Sequence, residues 1–102
     1  MKTVMLALTT KEIALQLKAV PEWSKRGRKI HRLFEFQGFL SGIAFVNRVA
    51  KKAQKLNHHP DIVIRFNQVT LTLTTHDVGG LTGEDFLLAR QCDDAFTAIL
   101  KP

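Results

Sequence analysis

Two alternating runs near the middle of the chain constrain its fold more than any other feature. Ile62, Ile64 and Phe66 alternate with Asp61, Val63 and Arg65, and Val69, Leu71 and Leu73 alternate with Thr70, Thr72 and Thr74. Apolar residues at every second position mark strands with one buried face. Asn67-Gln68 lies between the runs and reads as a two-residue hairpin loop, since Asn tolerates positive φ. In that register Phe66 pairs with Val69, Ile64 faces Leu71 and Ile62 faces Leu73, so the apolar side chains share one face. A hairpin of this kind is not stable alone, and the rest of the chain must cover that face.

Helices flank it on both sides. Between Phe39 and Leu56, Phe39, Ile43, Val46, Ala50 and Ala53 recur at spacings of three and four, widened by Phe45, Val49 and Leu56, with Asn47, Arg48, Lys51, Lys52 and Lys55 opposite. Pro60 disfavours helical geometry at His59, so this helix ends before that residue. Thr9-x-x-Glu12 is a capping-box pattern that opens an earlier helix, with Ile13, Leu15 and Leu17 as its apolar contacts and Pro21 as its stop. Trp23 follows as a packing anchor. Lys25 to Lys29, with Gly27, reads as a turn between two short strands. Ile30, Phe34 and Phe36 share one parity there, although Leu33 breaks the alternation, and His31 falls with Glu35 on the exposed side. A last helix follows Gly79-Gly80-Leu81, with Thr82 as N-cap, Glu84 and Asp85 in the favourable first turn, and a stripe of Leu88, Cys92, Ala95, Phe96 and Ile99. The expected fold is α+β: a single domain spanning 1–102, ordered α-β-β-α-β-β-α, with a four-stranded antiparallel sheet and helices on one face. The sheet's open edges offer a place for a second subunit.

Composition removes several function classes. Apolar residues make up 45% of the 102-residue chain and charged residues 24%, as in a globular domain. No apolar run approaches the roughly 18 residues of a membrane span, and Val4 to Leu8 is too short for a signal peptide, so a cytoplasmic protein is expected. Cys92 is the only cysteine, so no internal disulfide forms, and its place on the last helix's apolar stripe makes it a core residue. The formal net charge of +6 is concentrated in Lys25 to Arg32 and Arg48 to Lys55. The first run has no interleaved aromatic and the second lies on one helix face, so nucleic-acid binding is not the expected role.

Histidines carry the chemistry. Counting outward from the hairpin loop places His59 opposite His76, with His58 beside it, at the open end of the hairpin. Three clustered imidazoles suit proton transfer near neutral pH, since a free imidazole titrates near ~6.5. They also suit a catalytic zinc, which needs only three protein ligands, though no carboxylate or cysteine is fixed as a fourth. Inert surface histidines are the third alternative, and the pattern leaves all three open.

Around these residues the chain resembles the pterin-4a-carbinolamine dehydratases. That family's pattern is a charged residue, three residues, His-His-Pro, an aromatic, a distant His and a later Asp; here His58-His59-Pro60, Phe66, His76 and Asp85 match it. Leu56-Asn57, Leu73-Thr74-Thr75-His76-Asp77, Gly79-Gly80-Leu81-Thr82, Trp23 and Phe36-x-x-Phe39 extend the likeness from about Leu8 to Phe96. One position departs: Gln54 stands where the family usually has Glu, and an amide cannot accept a proton as a carboxylate does.

The resemblance implies loss of water from 4a-hydroxytetrahydrobiopterin to give a quinonoid dihydropterin. No redox step occurs, so no cofactor is required, and the pocket is expected to be metal-free. It implies His58 and His76 as acids toward the hydroxyl and His59 as base or positioner. Phe66, Pro60, Asp61, Gln54 and Asp85 are candidate substrate-binding residues; Asp85 also competes for a capping role, and Phe66 for a place in the core. It further implies a homodimer or homotetramer, a metabolic link to an aromatic amino-acid hydroxylase, and an alternative non-catalytic role, since relatives also serve as a dimerisation cofactor or in enzyme assembly.

Overall fold

A computed structural model describes residues 6–101, so the start of the Val4 to Leu8 stretch lies outside the described residues. In chain order the elements are α1 (Thr10–Leu17), β1 (Ser24–Arg26), β2 (Lys29–Glu35), α2 (Phe39–Leu56), β3 (Asp61–Arg65), β4 (Gln68–Leu73) and α3 (Gly83–Leu100), with a 3-10 turn at His76–Val78 before α3. All strand pairs are antiparallel, in the order β1-β2-β4-β3. Val69, Leu71 and Leu73 are buried under the helices, while Thr70 and Thr72 point to the other face. No helix among the described residues is long and apolar enough to cross a membrane.

Helix α1 begins as the sequence indicates. The Thr9 hydroxyl accepts from the Glu12 N–H, and the Glu12 carboxylate accepts from the Thr9 N–H at 2.8 Å. Thr9's backbone N–H and then its hydroxyl hold the Glu12 carboxyl below its ordinary value of 4.5. The resulting stability is present above pH 4.5 and is lost as acidification passes through the depressed value. Ile13 and Leu17, four residues apart, pack on the core, whereas Leu15 is 60% exposed. Two residues from either, Leu15 faces the other side of the helix.

The α2 boundaries agree with the sequence, but its buried line is rotated. Gly42, Phe45, Val49 and Ala53 are buried, whereas Phe39 and Ala50 are exposed. Gly42 lies on that line, where a Cβ would make ordinary van der Waals contact with Phe36 and Val69 at 3.5 Å. The buried line therefore runs through a glycine, which a count of apolar residues does not register.

Aromatic rings fill the space between sheet and helices. Phe34 lies 4.6 Å from Phe45 and 5.1 Å from Phe96 between ring centroids, and Phe36 lies 5.3 Å from Phe96. Arg32 has the inward parity of Ile30 and Phe34, and its guanidinium covers Phe34 at 4.3 Å and Phe96 at 5.1 Å. Asp93 on α3 fixes it at 2.7 Å and also accepts from Trp23 Nε1 at 2.8 Å. One carboxylate thus ties the chain after α1, strand β2 and helix α3 together.

The β3–β4 register corrects the sequence reading. Arg65 pairs with Gln68, Ile64 with Val69 and Ile62 with Leu71, so Phe66-Asn67 forms the loop rather than Asn67-Gln68. Asn67 is claimed by β2: Phe36 N–H donates to its carbonyl at 2.9 Å, and its Nδ2 donates to the Phe36 carbonyl at 3.0 Å. Phe66 then takes the left-handed backbone, at φ 51°. The shift moves one residue on each strand, so the faces are kept but His59 no longer lies opposite His76.

Replacing Asp93 with Ala should strip an acceptor from both Trp23 and Arg32. A loss of about 1.5–3 kcal/mol is expected, measured by urea unfolding. Cys92 is fully buried and burial pushes its thiol up to about 12. It should therefore resist iodoacetamide in the native protein at neutral pH and react on unfolding, as mass spectrometry would show.

Candidate active site

The three histidines reach one place by three separate local devices. At the end of α2, Asn57 adopts the left-handed conformation (φ 51°), His58 N–H donates to the Ala53 carbonyl at 3.0 Å, and Asn57 N–H to Gln54 at 3.2 Å. This pair of bonds is a Schellman cap, which reverses the chain and fixes His58 just beyond the helix. His59 follows, and Pro60 commits the backbone to β3. Beyond β4, Thr75 and Gly80 exchange backbone hydrogen bonds at 3.0 and 3.4 Å, closing a short loop whose first residue is His76. His58, His59 and His76, with Asn57, Thr74, Thr75 and Asp77, line one cavity of about 190 Å³.

Their surroundings differ. His58 is buried, and its Nε2 donates to Asp85 Oδ1 at 2.6 Å while Nδ1 lies 3.5 Å from Glu84 Oε2. Asp85 is fully buried, and its second oxygen accepts from Thr82 N–H at 2.9 Å and from the Thr75 hydroxyl at 2.8 Å. Since Thr75 spends its only proton there, the Thr82 hydroxyl donates to Thr75 across their 2.8 Å contact. Asp85 thus serves the start of α3 and His58 together.

His59 is exposed, and its Nε2 lies 3.1 Å from Gln54 Oε1. A carbonyl oxygen only accepts, so Nε2 carries the hydrogen and Nδ1 of the neutral ring is free to take a proton. His76 is exposed and its side chain makes no hydrogen bond among the described residues. No three His, Cys, Asp or Glu side chains among the described residues converge as a metal site.

Other candidates are dispersed. Pro60 is half-buried beside His59, and Asp61 is exposed at the start of β3, opposite Thr72. Phe66 is 70% exposed at the far end of β3, roughly 20 Å of strand from His59, and is not brought to this cavity. Glu84, Thr75 and Thr82 were not singled out as site residues. The Thr82–Asp85 spacing hints at a cap, and only the family likeness, through Asp85, sets that helix start beside the histidines.

Helices on one face of an antiparallel sheet, with histidines and a buried carboxylate meeting at its end, define the class. The family model described as pterin 4 alpha carbinolamine dehydratase matches residues 6–95, and the chain belongs to that family. A Picosynechococcus protein named "Putative pterin-4-alpha-carbinolamine dehydratase" is 52% identical over 86 residues, covering 84% of this chain and 94% of the relative. An Acidobacterium capsulatum protein of the same name is 51% identical, covering 83% and 92%. The crystal structure of a Brucella melitensis transcriptional coactivator/pterin dehydratase superposes with a TM-score of 0.85 at 34% identity, covering 87% and 97%. A pterin dehydratase-like protein identified as a RuBisCO assembly factor in the alpha-carboxysome, at 20% identity and a TM-score of 0.64 over 74% and 89%, shares the fold.

Asp85→Ala should remove the cap and leave His58 facing an emptied acceptor. The expected loss is on the order of 3 kcal/mol, read by chemical denaturation.

Proposed function

We propose that the protein dehydrates 4a-hydroxytetrahydrobiopterin by histidine acid–base catalysis, in tetrahydropterin recycling. The observation that carries this reading is the single cavity lined by His58, His59 and His76 in a chain of this family. In the elimination, the N5–H proton passes to a base, its electron pair forms the C4a=N5 bond, and the C4a–O bond breaks. The departing hydroxyl takes a proton from an acid and leaves as water. His59 suits the base, because Gln54 leaves its Nδ1 open. His76 suits the acid, because its ring is uncommitted. His58, set between Asp85 and Glu84, keeps both nitrogens turned to carboxylates and acts by fixing the wall of the cavity beside the other two rings.

Purified protein, with chelator present, should accelerate dehydration of the 4a-hydroxy-tetrahydropterin. His59→Ala and His76→Ala should each cost about 10²–10⁴-fold, the usual contribution of a general acid or base. His31→Ala should leave the rate near wild type, and Gln54→Glu should hold or raise it. No acceleration by wild type or by Gln54→Glu would replace this reading with a non-catalytic assembly role.

Self-association belongs to the same proposal. Edge strand β3 leaves Val63, Ile64 and Phe66 exposed, and α2 leaves Phe39 and Leu40 exposed, the latter at 77%. A homodimer or homotetramer should be seen by sedimentation, and a monomer at all accessible concentrations would refute it. An aromatic amino-acid hydroxylase is the proposed metabolic source of the substrate.

A further inference from the structure

We propose that edge strand β3 pairs with its copy in a second protomer about a two-fold axis at Val63, and that Phe66 of the partner subunit thereby completes the histidine site. What the shared site binds rests on the dehydratase reading above; how the strands pair does not. β3 is the last strand of the sheet and is paired on one side only, with β4. No proline, lysine or bulge blunts Asp61–Arg65, and Val63 and Ile64 are exposed. The Phe66-Asn67 loop is closed by the Arg65–Gln68 pair, whose main-chain groups bond each other. Alternation along the ladder then turns the main-chain groups of Val63 and Asp61 toward β4 as well, and those of Ile62 and Ile64 outward.

The side chains select the register. Centred on Val63, an antiparallel pair sets Asp61 opposite the partner's Arg65, Ile62 opposite the partner's Ile64, and Val63 opposite the partner's Val63. Two-fold symmetry repeats the Asp–Arg pair on the other side of the axis. Asp61, Val63 and Arg65 share the outer face with Thr72, Thr70 and Gln68, so an apolar centre is flanked by two opposite-charge pairs. Neither Asp61 nor Arg65 has an ion-pair partner within its own chain among the described residues. Moving the axis to Ile62 or to Ile64 loses both charge pairs and sets a charge opposite Val63. Ion pairs of this kind specify register more than they add affinity.

The same count reaches the site. Beyond the Asp61 pair, Pro60 falls opposite the partner's Phe66, next in sequence to His59. Phe66 ends its own strand far from its own His59, but neighbouring strands lie only about 4.8 Å apart. An aromatic ring stranded on one protomer is therefore delivered to the histidines of the other. The cavity's own lining holds no Phe, Tyr or Trp. A phenyl ring beside His59 supplies the flat apolar face on which a planar pterin ring can stack.

Val63→Cys tests the pairing without any pterin. The facing cysteines occupy a non-hydrogen-bonded pair, close enough to bridge, while native Cys92 is buried, so mild oxidation should give a disulfide-linked dimer on a non-reducing gel. Asp61→Arg should weaken dimerisation at least about tenfold by sedimentation, and Asp61→Arg/Arg65→Asp should restore it. No linked dimer, no loss with Asp61→Arg, or no recovery in the double variant would overturn the pairing. The shared site is tested by kinetics on a heterodimer purified through two different tags. Phe66→Ala homodimers should show a KM raised about 3–10-fold. A heterodimer of a His59→Ala chain with a Phe66→Ala chain keeps one site that holds both His59 and the partner's Phe66, so wild-type KM at about half the wild-type kcat is expected. A raised KM in that heterodimer would put Phe66 to work in its own chain and overturn the sharing. Absence of dehydration by wild type would remove the proposed function and the shared site with it, and the disulfide and charge-swap results would still decide the pairing.

Discussion

A buried carboxylate organises this protein's working end. Removing a charge from water without partners is costly, and Asp85 is fully buried. It remains stable there because hydrogen bonds converge on both oxygens: His58 on one, Thr75 and Thr82 on the other. Those donors come from the end of α2, the end of β4 and the cap of α3. One charge thereby holds together three segments that meet nowhere else in the sequence, and the orientation of His58 follows from helix capping.

The same logic recurs at lower intensity two turns further along α3. Asp93 gathers Trp23 and Arg32, and Arg32 in turn roofs the aromatic cluster. A cation with inward strand parity is costly as a point charge but workable as a plane lying on rings with its fork on a carboxylate. Helix α3 is thus tied by two carboxylates, one to the site and one to Arg32 and Trp23, with the buried Leu88, Ala89 and Cys92 between them.

Much of this was legible in the residues, because the strongest signals are local. Capping at Thr9, the span of α2 and the alternation of β4 each depend on neighbours within a turn or two. What was illegible depends on distant groups. The hairpin loop shifted because Phe36, some thirty positions away, captures Asn67 with two hydrogen bonds. The α2 contact line runs through Gly42, which a count of apolar residues does not register, on to Phe45, Val49 and Ala53. Juxtaposition of His58, His59 and His76 was expected from cross-strand pairing, yet it arises from a Schellman cap and a looped-out segment. Glu84 could not be seen as a neighbour of His58, because no pattern in the chain registers α3 against the end of α2.

The loop that carries His76 has a further consequence. Its base is closed by hydrogen bonds between the main chains of Thr75 and Gly80, and Thr75's side chain is anchored below to Asp85. Asp77 and Val78 therefore occupy a bight whose foundation does not depend on what their side chains are. Drift at Asp77, which lines the cavity, can reshape its rim while the base of the loop holds. The scaffold separates the part of the site that must stay constant from the part free to diverge, with the boundary at a single pair of backbone groups.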